Sequence, residues 1–262
     1  MIEPDFPAPP PAAPAKRRFS PLLALFLVVL VAGALLAGFG LVQVLSYRTI
    51  AVPGGSMGPT VPAGTSVVYR LREGEEIRRG DLVVFEADQF TGRPGVRLVK
   101  RVIAVGGDTV ECCDAQQRIE ENGKPVAEPY LDPAVPPERG ALRFKATVPA
   151  GSVFVAGDTR DNSNDSRMYT DQFGGGAVPL SKVDGVIVAK GSLFWSETLK
   201  PTTAFTDAGL PGAATEDSGP VTARLTFAGG VLLFLIGFAG ATVTAARSAR
   251  KRRIAATAPP AY

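Results

Sequence analysis

The sequence contains no histidine. That excludes a Ser-His-Asp triad, a Cys-His dyad and a histidine-ligated metal centre. Any nucleophilic hydrolysis has to use lysine or a carboxylate as its base. Cysteine is nearly as scarce, with two residues that are adjacent, Cys112 and Cys113. They cannot make a disulfide framework or a two-pair metal knuckle, and read as two thiols or one vicinal bridge in a turn. No metal or cofactor site is expected. Charge of one sign is also in short supply: a net +3 does not argue for nucleic acid as a partner. The cations cluster instead beside long apolar runs.

Those runs organise the chain. Residues 1–15 are rich in Pro and Ala (Pro4, Pro7, Pro9, Pro10, Pro11, Pro14) and cannot bury a core. Lys16-Arg17-Arg18 follows, then an uncharged stretch from Phe19 to Tyr47. About 20 residues at about 1.5 Å each cross a bilayer, so this stretch is long enough to span. A cleaved signal peptide is the alternative, with Ala32-Gly33-Ala34 as its small-residue site. The apolar run continues past that site through Leu35, Leu36 and Phe39, which favours an uncleaved anchor. A second uncharged run, Leu225 to Ala246, is followed by Arg247, Arg250, Lys251, Arg252 and Arg253. Both basic clusters lie on the outer chain ends of their spans. The positive-inside rule therefore places both termini in the cytoplasm and the region between the spans outside it.

Between the spans the sequence reads as mainly β. Short Val- and Ile-rich runs (66–70, 81–86, 96–105, 153–156 and 185–189) are separated by Gly, Pro and an Asn122-Gly123 hairpin signal. The stretch 198–222 turns to Pro, Gly, Ala, Thr and Asp, which predicts a flexible tether. The expected order is a Pro-rich tail (1–18), a first transmembrane helix (19–46), a β-domain (47–197), a linker (198–222), a second transmembrane helix (223–246) and a basic tail (247–262).

Three segments carry chemistry. In Gly54-Gly55-Ser56-Met57-Gly58-Pro59-Thr60, two glycines before the serine permit an unusual backbone that exposes its hydroxyl. In the strand-like run Val96–Val105, Lys100 shares a face with Val96, Leu98, Val102 and Ala104. A lysine in the middle of an apolar face either snorkels to the edge or is buried, and burial would lower its pKa and free a neutral amine. The third segment, Gly157 to Arg167, is a dense polar loop. Its Asp161, Ser163 and Asp165 mimic a calcium-loop spacing, but Ser166 and Gln172 stand where that loop needs Gly and Glu. A Ser163 hydroxyl that orients the lysine, with an Asp165–Arg167 ion pair holding the loop, is the better reading. Ser248-Ala249-Arg250-Lys251 matches a Ser-x-x-Lys pattern, but it lies in the basic tail and the companion motifs of that class are missing.

Together these segments resemble the bacterial type I signal peptidases. The resemblance covers roughly residues 50–189. It rests on Gly55-Ser56-Met57-x-Pro59-Thr60, on Arg79-Gly80-Asp81-Leu82-Val83-Val84-Phe85, on Lys100-Arg101-Val102-Ile103 through Gly106-Gly107-Asp108, and on Gly157-Asp158 to Asp165-Ser166-Arg167. It implies a membrane-bound serine endopeptidase with Ser56 as nucleophile and Lys100 as general base. It further implies Ser163, Asp165 and Arg167 as supporting residues, and Val52, Pro53 and Val99 as lining for the substrate's small side chains. Exported preproteins cut after small-x-small sites are the implied substrates, and membrane lipid the implied surroundings. Two positions depart from the family pattern. Gly54 stands where some members carry an oxyanion-binding serine, and Thr159 where Asn is common. Two rivals stand against this reading: a soluble self-cleaving Ser-Lys repressor, which the two spans oppose, and a catalytically inactive membrane-tethered interaction domain.

Overall fold

A computed structural model of the chain describes residues 20–71, 77–172, 174–212 and 214–257. The Pro-rich tail with its Lys16-Arg17-Arg18 cluster, and the last five residues of the basic tail, lie outside the described residues.

Two compact units divide the chain. The first joins the chain up to Gly38 with the chain from Ala228 onward, and is built from helix α1 (Pro21–Leu45) and the long terminal helix described below as α4. Pro21 sits at the first helical position, where its missing N–H costs nothing. Uncharged along its length, α1 covers about 37 Å at about 1.5 Å per residue, enough for a hydrocarbon core of about 30 Å. Within this unit the helices approach closely. A Cβ at Gly33 would overlap the backbone of Phe234, and one at Gly237 the backbone of Leu30, so only glycine permits the contact.

The second unit, Phe39–Phe227, is mainly antiparallel β, as the patterning of the sequence implies. Its strands are β1 (Tyr47–Val52), β2 (Thr65–Leu71), β3 (Leu82–Glu86), β4 (Arg97–Val105), β5 (Thr109–Cys112), β6 (Ile119–Glu121), β7 (Lys124–Pro125), β8 (Phe144–Thr147), β9 (Ser152–Ala156), β10 (Val178–Pro179), β11 (Val183–Gly191) and β12 (Ser196–Thr198). A short helix α2 (Asp88–Thr91) follows β3, and another, α3 (Ala204–Asp207), precedes α4 (Gly219–Thr257). The larger sheet has the order β1-β2-β11-β3-β4-β9-β10, with β12 on β11; the smaller runs β7-β6-β5-β8. β3 is central and buried on both faces, which explains its unbroken Leu-Val-Val-Phe run. Asn122 and Gly123 both adopt positive φ (51° and 74°) between β6 and β7, the conformation a two-residue hairpin turn demands.

Apolar side chains join the two sheets. Ile103, Ala104, Phe154 and Ala156 of the larger sheet pack with Val110, Ile119, Phe144 and Ala146 of the smaller one. A bulge in β4 between Val102 and Ala104 re-aims this strand, so Ile103 and Ala104 both reach that core.

The region expected as a flexible tether is different in the structure. Leu199 packs against the cluster around Met57. Ala204, Phe205 and Leu210 are buried in the core that joins the sheets. Arg79 then holds the following turn through Nη1 to Pro211 O at 2.6 Å, with Arg79 N–H to Gly212 O at 3.2 Å and Ala214 N–H to Arg79 O at 2.9 Å. Small residues and prolines here make a close-fitting strap, because three well-placed apolar side chains suffice to anchor it. α4 likewise begins at Gly219, before the apolar run itself. Cys112 and Cys113 are joined as a vicinal disulfide at the end of β5. Phe194 and Trp195 are exposed (55% and 82%), which removes core packing as their role.

Candidate active site

Ser56 lies in the turn that leaves β1. The next residue, Met57, is fully buried, as is Val61, and both plug a cluster formed by Val52, Val67, Leu82, Val84, Val99 and Ile187. The turn is thereby nailed to the sheet on both sides of the serine. Val61 N–H to Met57 O (2.7 Å) and Gly58 N–H to Gly55 O (3.2 Å) close it from within.

Lys100 stands in the middle of β4, opposite Val83 of β3, and is 2% exposed. Its Nζ lies 2.6 Å from Ser56 Oγ. Burial pushes the amine down from 10.5 to about 8; the Asp165 carboxylate pulls it up and the Arg167 charge pushes it further down. A neutral amine is thus within reach near neutral pH, in contact with a hydroxyl.

The polar loop after β9 forms the rear wall. Asp165 is fully buried and accepts the Gly157 N–H at 3.0 Å, with Arg167 Nε at 2.8 Å and Nη2 at 2.9 Å completing a two-pronged ion pair. Burial works to raise the Asp165 carboxyl, but the Arg167 guanidinium outweighs it and holds the group below its ordinary value. Arg167 reaches on to Gly140 O (3.0 Å) and Arg160 O (2.9 Å), so one side chain ties three segments together. A Cβ at Gly157 would overlap Ser163 Oγ and Ser56 O, which places Ser163 beside the nucleophile's own carbonyl. The Ser163 hydroxyl is buried, and it helps the Arg167 guanidinium hold the Asp165 carboxyl low. Of the residues expected to line the substrate, Val52 and Val99 are buried in the Met57 cluster, while Pro53 is exposed.

Sequence reasoning missed a second layer. Arg101, assigned by strand parity to the face opposite Lys100, is as buried as Lys100 itself, at 3% exposure. Its guanidinium takes both oxygens of Asp158, at 2.8 and 2.7 Å, reaches Gly80 O at 2.9 Å and lies 4.0 Å over the Tyr130 ring. Thr60 donates to the same Asp158 at 2.6 Å, tying the far end of the serine turn into this pair. Glu128 adds an ion pair with Arg160 and accepts the Tyr130 hydroxyl. The available signal was two successive cations in an apolar strand, each of which needs an answer elsewhere.

The chain, which has no histidine, sets a serine hydroxyl against a buried lysine amine on a mainly antiparallel β-domain and carries two helices of membrane-spanning length. Residues 22–191 match the signal peptidase (peptidase S26) family, and the chain belongs to it. It is 30% identical to a signal peptidase I of Leptolyngbya laminosa over 214 residues, covering 74% of this chain and 92% of that one. Signal peptidase I of Bacillus licheniformis is 38% identical over 136 residues (48% and 69%). Signal peptidase I of Mycobacterium tuberculosis (strain H37Rv) is 45% identical over 100 residues, 34% of each chain. The chain thus spans about a third of the length of the mycobacterial relative it matches.

Proposed function

We propose that this protein is a signal peptidase that cuts exported preproteins after small-x-small sites, with Ser56 as nucleophile and Lys100 as general base. The observation that carries the reading is the 2.6 Å approach of a buried lysine amine to Ser56 Oγ. In the first step the neutral Nζ takes the Ser56 proton while Oγ bonds to the scissile carbonyl carbon. The resulting oxyanion faces the Ser56 N–H. The C–N bond then breaks and the Lys100 ammonium gives its proton to the leaving amine. Water, deprotonated by the same amine, releases the signal peptide as a carboxylate and returns the proton to Ser56.

The supporting roles belong to the same proposal. Asp165 and Arg167 fix the polar loop behind the lysine. Ser163, whose buried hydroxyl lies beside Asp165, steadies the amine through the proton transfers. Val52, Pro53 and Val99 line the ground on which the small side chains rest, the substrate lying extended along the strand edge. In this reading the β-domain lies on the outer face of the cytoplasmic membrane, with both termini in the cytoplasm. The cations from Arg247 to Arg253, exposed after the apolar run, support that orientation.

The test is cleavage of a preprotein by the full chain in detergent, for wild type, Ser56→Ala and Lys100→Met. Cleavage after the small-x-small site by wild type, and by neither variant, upholds the reading. Binding of preprotein without cleavage, unchanged in Ser56→Ala, shows an inactive tethered binding domain instead. Equal cleavage by wild type and Lys100→Met means another base.

A further inference from the structure

Thr159 follows Asp158 in the polar loop and lies in the cup of the serine turn. Its main-chain N–H donates to Ser56 O at 3.0 Å. Its hydroxyl lies 2.8 Å from Gly55 O and 2.9 Å from Gly58 O. A hydroxyl has one proton, so the two carbonyls share it, while Gly55 O also accepts the Gly58 N–H at 3.2 Å. Every carbonyl from Gly55 to Gly58 that faces the polar loop through these contacts is therefore held by a single residue.

The Gly55 carbonyl is one end of a planar trans peptide whose other end is the Ser56 N–H. The two bonds point in opposite directions. Fixing the Gly55 oxygen on the loop side therefore aims the Ser56 N–H away from the loop. Donation to the carbonyl also polarises the peptide and strengthens its N–H as a donor. Gly54 has open space where a side chain would stand and offers no hydroxyl to share the load. The orientation of this one N–H accordingly matters more here than in a site with a side-chain donor.

We propose that Thr159 is a positioning residue for the oxyanion donor: its hydroxyl, through the Gly55 carbonyl, orients the Ser56 N–H toward the scissile carbonyl oxygen of the peptide substrate. This rests on the serine–lysine reading above. The contacts of Thr159 with the serine turn are to main-chain oxygens, not to Ser56 Oγ. It acts in the transition state, when charge gathers on the carbonyl oxygen, and leaves ground-state peptide binding alone.

The experiment compares wild type, Thr159→Ala and Thr159→Ser for kcat, KM and thermal stability, all expressed per folded molecule. Peptide affinity is measured in parallel in the Ser56→Ala background, with and without Thr159→Ala. Loss of a whole oxyanion donor costs about 10²–10³ in kcat, and loosening one that is still present is expected to cost about tenfold. Thr159→Ala should show that drop with KM and peptide affinity unchanged, and Thr159→Ser, which keeps the hydroxyl, should restore kcat. If Thr159→Ser is as impaired as Thr159→Ala, or if the loss lies in KM or in folded fraction alone, the positioning role is overturned. If wild type cleaves no preprotein at all, the serine–lysine reading fails first and this inference falls with it.

Discussion

Lys100 and Arg101 are consecutive on β4 and both buried, yet only the arginine has a carboxylate to itself: Asp158 gives it both oxygens, at 2.8 and 2.7 Å. The other buried acid of the site, Asp165, is taken in the same two-pronged way by Arg167. Lys100 has no ion pair among the described residues, and the hydrogen bond its amine makes there is to the serine hydroxyl. Two guanidiniums, which cannot lose their protons, absorb the negative charge. The amine, which can, is left without it. This division is what allows a lysine to serve as the proposed base in a site that also contains two carboxylates.

The first prediction concerns that amine. With Lys100 lowered from 10.5 to about 8, kcat/KM should rise with pH through about 8 and level off above it. Stability follows the same group. Between about 8 and 10.5 the unfolded chain binds more protons than the folded one, so stability rises with pH across that window. Below it the burial penalty is present in full, at about 3 kcal/mol for a fall from 10.5 to about 8. Lys100→Met should therefore raise the melting temperature at pH 7 and flatten the rise above pH 8. A pH–rate limb near 10, or a less stable methionine variant, would show that the amine is not desolvated.

Gly157 is expected to tolerate no side chain. Its Cβ would overlap Ser163 Oγ and Ser56 O, and Ser56 O cannot retreat while Thr159 N–H holds it at 3.0 Å. Gly157→Ala should cost about 1–3 kcal/mol of stability from overpacking and far more of the activity, since the displaced atoms adjoin the nucleophile. Thermal melts and kcat/KM on the same preparation check both halves. Normal kcat in this variant would mean that the serine turn moves freely.

Asp158 should matter to the fold more than to the chemistry. Removing one partner of a buried pair strands the other charge, at a cost of about 3–5 kcal/mol. Asp158→Ala leaves Arg101 with Gly80 O, the Tyr130 ring and Thr60 Oγ1, and releases Thr60, at the far end of the serine turn, from its carboxylate partner. Denaturant unfolding should show the loss at any pH from 5 to 9, because the arginine stays charged. Full stability in the variant would mean that water reaches Arg101.

How far the sequence foretold all this depends on which physics each feature uses. Strand positions were legible because Val- and Ile-rich runs between Gly and Pro signals have few other folds open to them, and β2, β3, β4, β9 and β11 lie where those runs are. Lys100 was legible because a charge in an apolar face is conspicuous. Arg101 was not: parity sent it to the other face, and nothing local says that this face is also covered. Its cover comes from Asp158, Tyr130 and Thr60, which are 57, 29 and 41 residues away in sequence. The strap from Leu199 to Leu210 was misread for a related reason, since composition records how few apolar residues a segment has and not how well each one fits.

The last prediction lies away from the serine, where Arg79 faces two carboxylates. Its Nη2 meets both oxygens of Asp108 at 2.7 Å, and its Nε is paired with Glu121, which is fully buried beside the same Asp108. One guanidinium cannot neutralise two dry carboxylates, so one of them keeps a proton. Burial works to raise Asp108 too, but Asn122 Nδ2 and the Val105 N–H outweigh it and keep that group ionised. Glu121 takes the proton: burial raises it from 4.5 to about 8, against the pull of Arg79. The folded chain then binds one proton more than the unfolded chain between about pH 4.5 and 8, so stability from this group is complete below 4.5 and is lost as pH rises through 8. Glu121→Gln keeps an acceptor for Arg79 and supplies a permanent N–H where the proton sat. It should match wild type at pH 5 and exceed it at pH 8.5, with the strap at Pro211 held equally at both. Melting temperatures across that range decide it. A wild type whose stability does not fall toward pH 8, or a glutamine variant that is weaker at both ends, would show that Glu121 is ionised and that Arg79 does carry both charges.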